Sequence, residues 1–193
     1  MKRAPAIPPA AAVVVAALLA AAATAGCGAS ASVGSVREVR GFDKVEIATS
    51  GRVILTQGDT ESLEITAAPD DLERIATTVR GGTLHIGVAR PPDAPRGDVV
   101  YRLTMARIAE LATSSSGSFA APRIQTDALR IGVRSSGSVT VDALAARSLE
   151  VDISSSGSVT VAGAVERQSV RISSSGRLQA ADLQSREASI ALS

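Results

Sequence analysis

Tryptophan is missing from this 193-residue chain, and its aromatic side chains amount to two phenylalanines and one tyrosine. With so little to stack on bases or sugar rings, and a formal net charge of +1 gathered into no basic stripe, the composition argues against a nucleic-acid partner. A single cysteine, Cys27, excludes a disulfide within the chain. A single histidine, His85, leaves no His/Cys spacing for a metal, and the Gly-Asp calcium repeat of some β-solenoids is absent. A serine nucleophile would need a base and an orienting acid. There is no G-x-S-x-G elbow, and His85, inside "TLHIG", reads as a strand side chain. No cofactor motif occurs. What remains is a chain that is 45% hydrophobic, enough for one core and one domain.

The N-terminus has the layout of a processing signal. Lys2 and Arg3 precede an unbroken run of small and apolar residues from Ala10 to Ala25. Sixteen such residues would form a helix of about 24 Å, short of the roughly 30 Å hydrocarbon core, so a permanent span is disfavoured and export is expected. The run ends at "TAGC", after which comes the polar "GASAS". This resembles a bacterial lipoprotein signal, which implies cleavage between Gly26 and Cys27 and a diacylglyceryl group on the Cys27 thiol. Thr24 departs from the leucine common at that place. "ATA" at 23–25 also suits ordinary signal peptidase, so a secreted protein with a free thiol and an uncleaved segment are the alternatives. Several acyl chains would anchor the domain stably where one holds only marginally. The expected organisation is therefore a signal peptide at 1–26, a flexible tether at 27–35 and a folded domain at 36–193.

Past the tether, apolar residues alternate. "VREVRGFDKVEIAT", "GRVILTQG" and "SLEITAA" read as short strands punctuated by Gly41, Gly51 and Gly58. "PDDLERIATTV" at 69–79 predicts one or two helical turns with Asp70 as N-cap. A Gly81-Gly82 turn leads into "TLHIGV", the Pro-rich 89–98 segment is a loop, and Val99, Tyr101, Leu103 and Met105 alternate as a further strand.

From there the chain repeats itself. "SSGSVTV" occurs at 135–141 and again at 155–161, and the glycines Gly117, Gly137, Gly157 and Gly176 are spaced 20, 20 and 19 apart. A fixed period of this size marks a solenoid. Ile131, Val133, Val139, Val141 and Leu144 recur one period later as Val151, Ile153, Val159, Val161 and Ala164, which predicts two short strands per coil. A lone coil cannot bury its apolar face, so the coils must stack. Twenty residues leave no room for a crossover helix, so the fold class is all-β, a parallel β-helix. The glycines are expected to supply positive φ and close approach at the turns, and the serine hydroxyls to satisfy turn backbone groups.

These residues carry a resemblance. "REVRGFDKVEIATSGRVILTQGDTESLEI", "GGTLHIGV" and the recurring "SSGSVTV" resemble the bacterial head GIN domain family, the auto-transporter adhesins, over about residues 36–193. The resemblance implies a right-handed parallel β-helix and a place in the cell envelope, often as an exported lipoprotein. Ile190, Leu192 and Ser193 read as the start of another coil, which the sequence leaves three residues short of its glycine, as a truncated domain would.

The function expected is that of a non-catalytic, membrane-anchored envelope protein: an adhesin or surface scaffold meeting a glycan or protein on a cell surface. Ser138 and Thr140, with Ser158 and Thr160 one coil away, should form a small outward hydroxyl array, bounded by Ser118 and Ala120 on one side and Arg177 and Gln179 on the other. The alternatives are a polysaccharide-degrading β-helix enzyme and an envelope-stress or regulatory binding module. Such enzymes cluster carboxylates and basic residues on one face, whereas Asp127, Asp142, Glu150, Asp152, Glu166 and Asp182 are dispersed among arginines and fit a solvated exterior.

Overall fold

A computed structural model describes residues 32–193, and Cys27 with the stretch expected to be a signal peptide lies outside the described residues. Fourteen strands and one short helix follow one another: β1 (Val33–Arg37), β2 (Lys44–Ile47), β3 (Arg52–Gln57), β4 (Ser62–Ala67), α1 (Pro69–Leu72), β5 (Ile75–Arg80), β6 (Thr83–Val88) and β7 (Val100–Met105). The repeating part comprises β8 (Glu110–Thr113), β9 (Ser118–Ala121), β10 (Ile124–Val133), β11 (Ser138–Ser154), β12 (Ser158–Ser173), β13 (Arg177–Gln179) and β14 (Leu183–Leu192). The chain is a β-solenoid, as its period predicts.

Each full coil has three faces rather than two. In β11 the first face is Ser138–Val141, the second begins at Leu144 and the third runs from Ser148, all paired in parallel with the coils on either side. Inward positions stack into continuous rows. Ile65, Tyr101, Val53, Phe119, Val139 and Val159 follow one another through the first face. Leu84, Val45, Leu111, Ile131, Val151 and Val170 do so through the third. All of these are buried, so each coil supplies the wall that its neighbour lacks. At the far end of the third-face rows Ile190 and Leu192 are exposed, with no coil beyond them among the described residues.

The N-terminal half stacks out of chain order. β2 and β3 lie directly beneath β8 and β9, and β6 and β7 lie beneath them in turn. β4 then pairs antiparallel with β7, β1 antiparallel with β4, and β5 antiparallel with β6. These antiparallel pairings, of which only β5–β6 is a hairpin, end the parallel stack. β1 begins at Val33, inside the stretch that the sequence assigns to the tether.

One helical turn forms as expected, but its N-cap and its extent are corrected. α1 is a single turn whose N-cap is Ala68, with no side-chain cap, and Ile75–Arg80 is strand β5. Asp70 stays exposed. Its neighbour Asp71 turns inward, and its carboxylate accepts hydrogen bonds from the Arg96 and Gly97 backbone N–H groups at 3.0 and 2.9 Å. Two donors outweigh what one N-cap bond would offer, and they fasten the Pro-rich loop to the cap.

The turn glycines sit where the sequence predicts, but for only one of the two reasons. Gly117, Gly137, Gly157 and Gly176 are absent from the positive-φ residues. What they lack is room: a Cβ on Gly137 would lie 2.6 Å from Thr113 Oγ1, and one on Gly157 would lie 2.1 Å from Val133 Cγ1. The close approach serves a backbone ladder. Ser138 N–H donates to Gly117 O, Ser158 N–H to Gly137 O and Arg177 N–H to Gly157 O, at 3.0–3.2 Å. Positive φ in these turns falls instead on Ser155 and Ser174. The turn hydroxyl bonds come from Thr113, whose Oγ1 donates toward Ser115 O and Gly117 O, rather than from the serines.

One residue is lost between Val161 and Gly163. Leu144 pairs with Gly163 and Ala145 with Ala164, so Ala164 is exposed and does not take Leu144's inward slot. Gly163 absorbs the deletion with φ of 127°, and a Cβ there would lie 2.1 Å from Leu144 O. Only glycine tolerates both constraints.

Candidate functional site

Two outer surfaces carry polar side chains in coil-spaced rows. On the first face, Ser118, Ser138 and Ser158 form one row and Ala120, Thr140 and Thr160 the next, each residue paired with its counterpart in the adjacent coil. The expected array is therefore assembled: Ser138 beside Ser158 and Thr140 beside Thr160. Strand alternation puts Val139, Val141, Val159 and Val161 inside, so the hydroxyls must point out. The array ends where the sequence places its borders, at Arg177 and Gln179, and the Thr160 hydroxyl donates to Gln179 Oε1 at 3.2 Å. On the other side Arg52 and Ile54 lie next to Ser118 and Ala120.

The third face is charged, and its sign alternates from coil to coil. Lys44, Glu110, Arg130 and Glu150 are successive partners in one outward row. Arg130 Nη1 lies 3.4 Å from Glu150, and Arg171 Nη1 lies 3.0 Å from Glu150 and 3.7 Å from Asp152. The dispersal expected for these carboxylates gives way to a network: Glu150 and Asp152 share two arginines drawn from the coils above and below. At the corner between the second and third faces Arg147 pairs with Asp127 at 2.6 Å, and this carboxylate raises the guanidinium's already high pKa. His85 lies on β6 with Nδ1 3.2 Å from Glu46, a strand side chain as its surroundings predict. Asp142, Glu166 and Asp182 are exposed.

On the third face itself a groove of about 710 Å³ crosses several coils, lined by Ala128, Ser148 and Arg167 on one side and by Arg130, Glu150 and Ser169 on the other. Gln168 sits at its floor, in the slot that Leu149 fills one coil earlier. At the start of the second face the Gln57 side chain substitutes for a missing strand: its amide donates to Gln125 O at 2.9 Å and accepts from Gln125 N at 2.8 Å. No sequence signal marks that role. Among the described residues no group of three or more His, Cys, Asp or Glu side chains is placed to hold a metal ion, and no helix is long and apolar enough to cross a membrane.

Similar folds occur among solved structures. A "putative adhesin" from Bacteroides fragilis superposes with a TM-score of 0.76 at 19% identity, over 83% of this chain and 76% of that one. A "putative lipid binding protein" from Parabacteroides distasonis gives 0.67 at 20% identity, over 86% of this chain and 80% of that one. A "putative adhesin" from Parabacteroides merdae gives 0.66 at 15% identity, over 86% and 79%. At such identities the likeness is one of fold. Comparison with curated proteins finds no match. The family described as "Putative auto-transporter adhesin, head GIN domain" matches residues 41–193, which takes in everything from β2 to the last coil and leaves out β1, and the chain belongs to that family.

Proposed function

We propose that this is a non-catalytic lipoprotein of the bacterial cell envelope, held to a membrane by acyl chains on Cys27, and that it binds cell-surface glycans through the first outer face. The observation that carries this reading is the in-register pairing of Ser138 with Ser158 and of Thr140 with Thr160. Neighbouring strands are about 4.8 Å apart, so the hydroxyls form a flat lattice, and each can both donate and accept. A repeating polyol partner suits such a lattice better than a single small molecule does. The family's adhesin description supports adhesion, as do the names of two of the similar structures. The tying of Glu150 and Asp152 to Arg130 and Arg171 supports a non-catalytic role, because neither carboxylate is left as a free acid or base. Screening the full chain on a glycan array tests the reading. Saturable binding to a glycan class is expected, and uniform absence of binding would overturn it.

A further inference from the structure

The cap at the N-terminal end holds a cleft of about 570 Å³ between β1, α1 and the Pro-rich loop. Its charged lining is Arg37, Asp70, Glu73, Arg74, Arg90 and Asp93. Arg74 and Asp93 are paired with each other. The other four side chains are in no ion pair among the described residues, which leaves two guanidinium groups, Arg37 and Arg90, and two carboxylates, Asp70 and Glu73, facing one cleft. Arg37 is the more telling. It donates to Leu72 O at 3.4 Å through Nη2, yet its Nε is buried with no acceptor among the described residues. A buried N–H without a partner costs free energy that a bound acceptor would recover.

A cleft with free charges of both signs fits a zwitterion better than a simple anion. A phosphoryl group would take the Arg37 and Arg90 N–H groups, and an ammonium would take Asp70 and Glu73. The position of the cleft indicates where such a group comes from. β1 starts six residues after Cys27, and six extended residues span at most about 22 Å. If Cys27 carries the anchor, this end of the solenoid lies at the membrane surface, with Val33 and Val36 exposed on β1 beside it. We infer that the Arg37/Arg90/Asp70/Glu73 cleft binds the phosphoethanolamine headgroup of a membrane phospholipid. The membrane source rests on the Cys27 reading, whereas the headgroup chemistry does not.

Titration of the full chain, in a detergent without phosphate, with glycerophosphoethanolamine, glycerophosphocholine and inorganic phosphate tests the chemistry, read by the Arg37 Nε–H NMR signal. Saturable binding of glycerophosphoethanolamine is expected, weakened at least tenfold by Arg90→Gln, a substitution at an exposed loop residue. Asp70→Asn with Glu73→Gln should abolish the preference over inorganic phosphate. No saturable shift, no effect of Arg90→Gln, or equal binding of inorganic phosphate would overturn the assignment. Hydrogen exchange of the lipidated chain in nanodiscs tests the source: the Ala89, Arg90 and Asp93 amides should exchange more slowly with phosphatidylethanolamine than with phosphatidylcholine alone. Soluble binding without that protection would overturn the membrane as the source. Failure of lipid labelling at Cys27 would instead count against the anchor.

Discussion

Arg130 Nη2 lies 2.8 Å from Asp152 Oδ2, one coil away and two residues beyond its own backbone partner, Glu150. The arginine thus bridges two carboxylates, and Arg171 meets the same two from the opposite coil. Side chains at these positions are 30–62% exposed, so each contact should contribute no more than about 0.2–1 kcal/mol. The arrangement is a ring of four. An isolated pair would tolerate reversal of both charges. Here Arg130→Glu with Glu150→Arg sets a carboxylate at position 130 against Asp152 and a guanidinium at position 150 against Arg171. The double reversal should therefore remain destabilised by about 0.5–1 kcal/mol, and 1 M salt should largely erase the difference. Urea unfolding of the two single variants and the double variant at low and high salt measures this.

The turn glycines separate two kinds of cost. Gly157→Ala introduces a Cβ 2.1 Å from Val133 Cγ1 and 2.8 Å from Ser135 O, at a φ that alanine adopts freely. Gly41→Ala meets nothing within 4 Å but must hold φ at 75°. The first should cost about 1–3 kcal/mol through overpacking and the second about 1 kcal/mol through backbone strain. Thermal unfolding of both should rank Gly157→Ala as the more damaging.

Asp71 gives the cap a pH dependence. The Arg96 and Gly97 N–H groups, and after them the charges of Arg74 and Arg96, hold its carboxyl below its ordinary value of 3.8, although burial opposes the shift. Because the folded value is the lower one, the stabilisation is complete above about pH 3.8 and is lost as pH falls through the folded value. Asp71→Asn should lower Tm by several degrees at neutral pH. The gap from the native chain should close in acid, as melting curves from pH 7 to pH 2 would show.

The anchor is a separate matter from the fold. Cys27→Ser should abolish incorporation of labelled fatty acid and release the chain from membranes, which metabolic labelling and fractionation measure directly.

What the sequence made legible follows from how local each determinant is. From Glu110 onward every coil repeats its neighbour, so a 20-residue offset correctly places Arg130 beside Glu150, and the 19-residue offset places Asp152 beside Arg171. The hydroxyl array follows from the same arithmetic. The spacing of 19 announced a deletion but could not locate it, since the strain is absorbed by Gly163 rather than near Gly176. The cap was less legible. Placing β2 and β3 between β6–β7 and β8–β9 depends on partners far away in the chain, and no local pattern records that choice. Likewise Asp70 looks like an N-cap from its neighbours alone, while the two N–H groups that draw Asp71 inward come from a loop 25 residues further on.

Binding through the first outer face makes its hydroxyl array the place to disrupt. Thr140→Arg with Thr160→Arg fills that face with two long cations while leaving Val139, Val141, Val159 and Val161 in the core. Adhesion of cells displaying the full chain to an immobilised glycan found on the array should be measured for the native chain, for this double variant and for Glu150→Ala on the charged face. Adhesion should fall at least tenfold in the threonine double variant and stay unchanged in Glu150→Ala, with both variants folded; undiminished adhesion by the folded double variant would rule out binding through the first face.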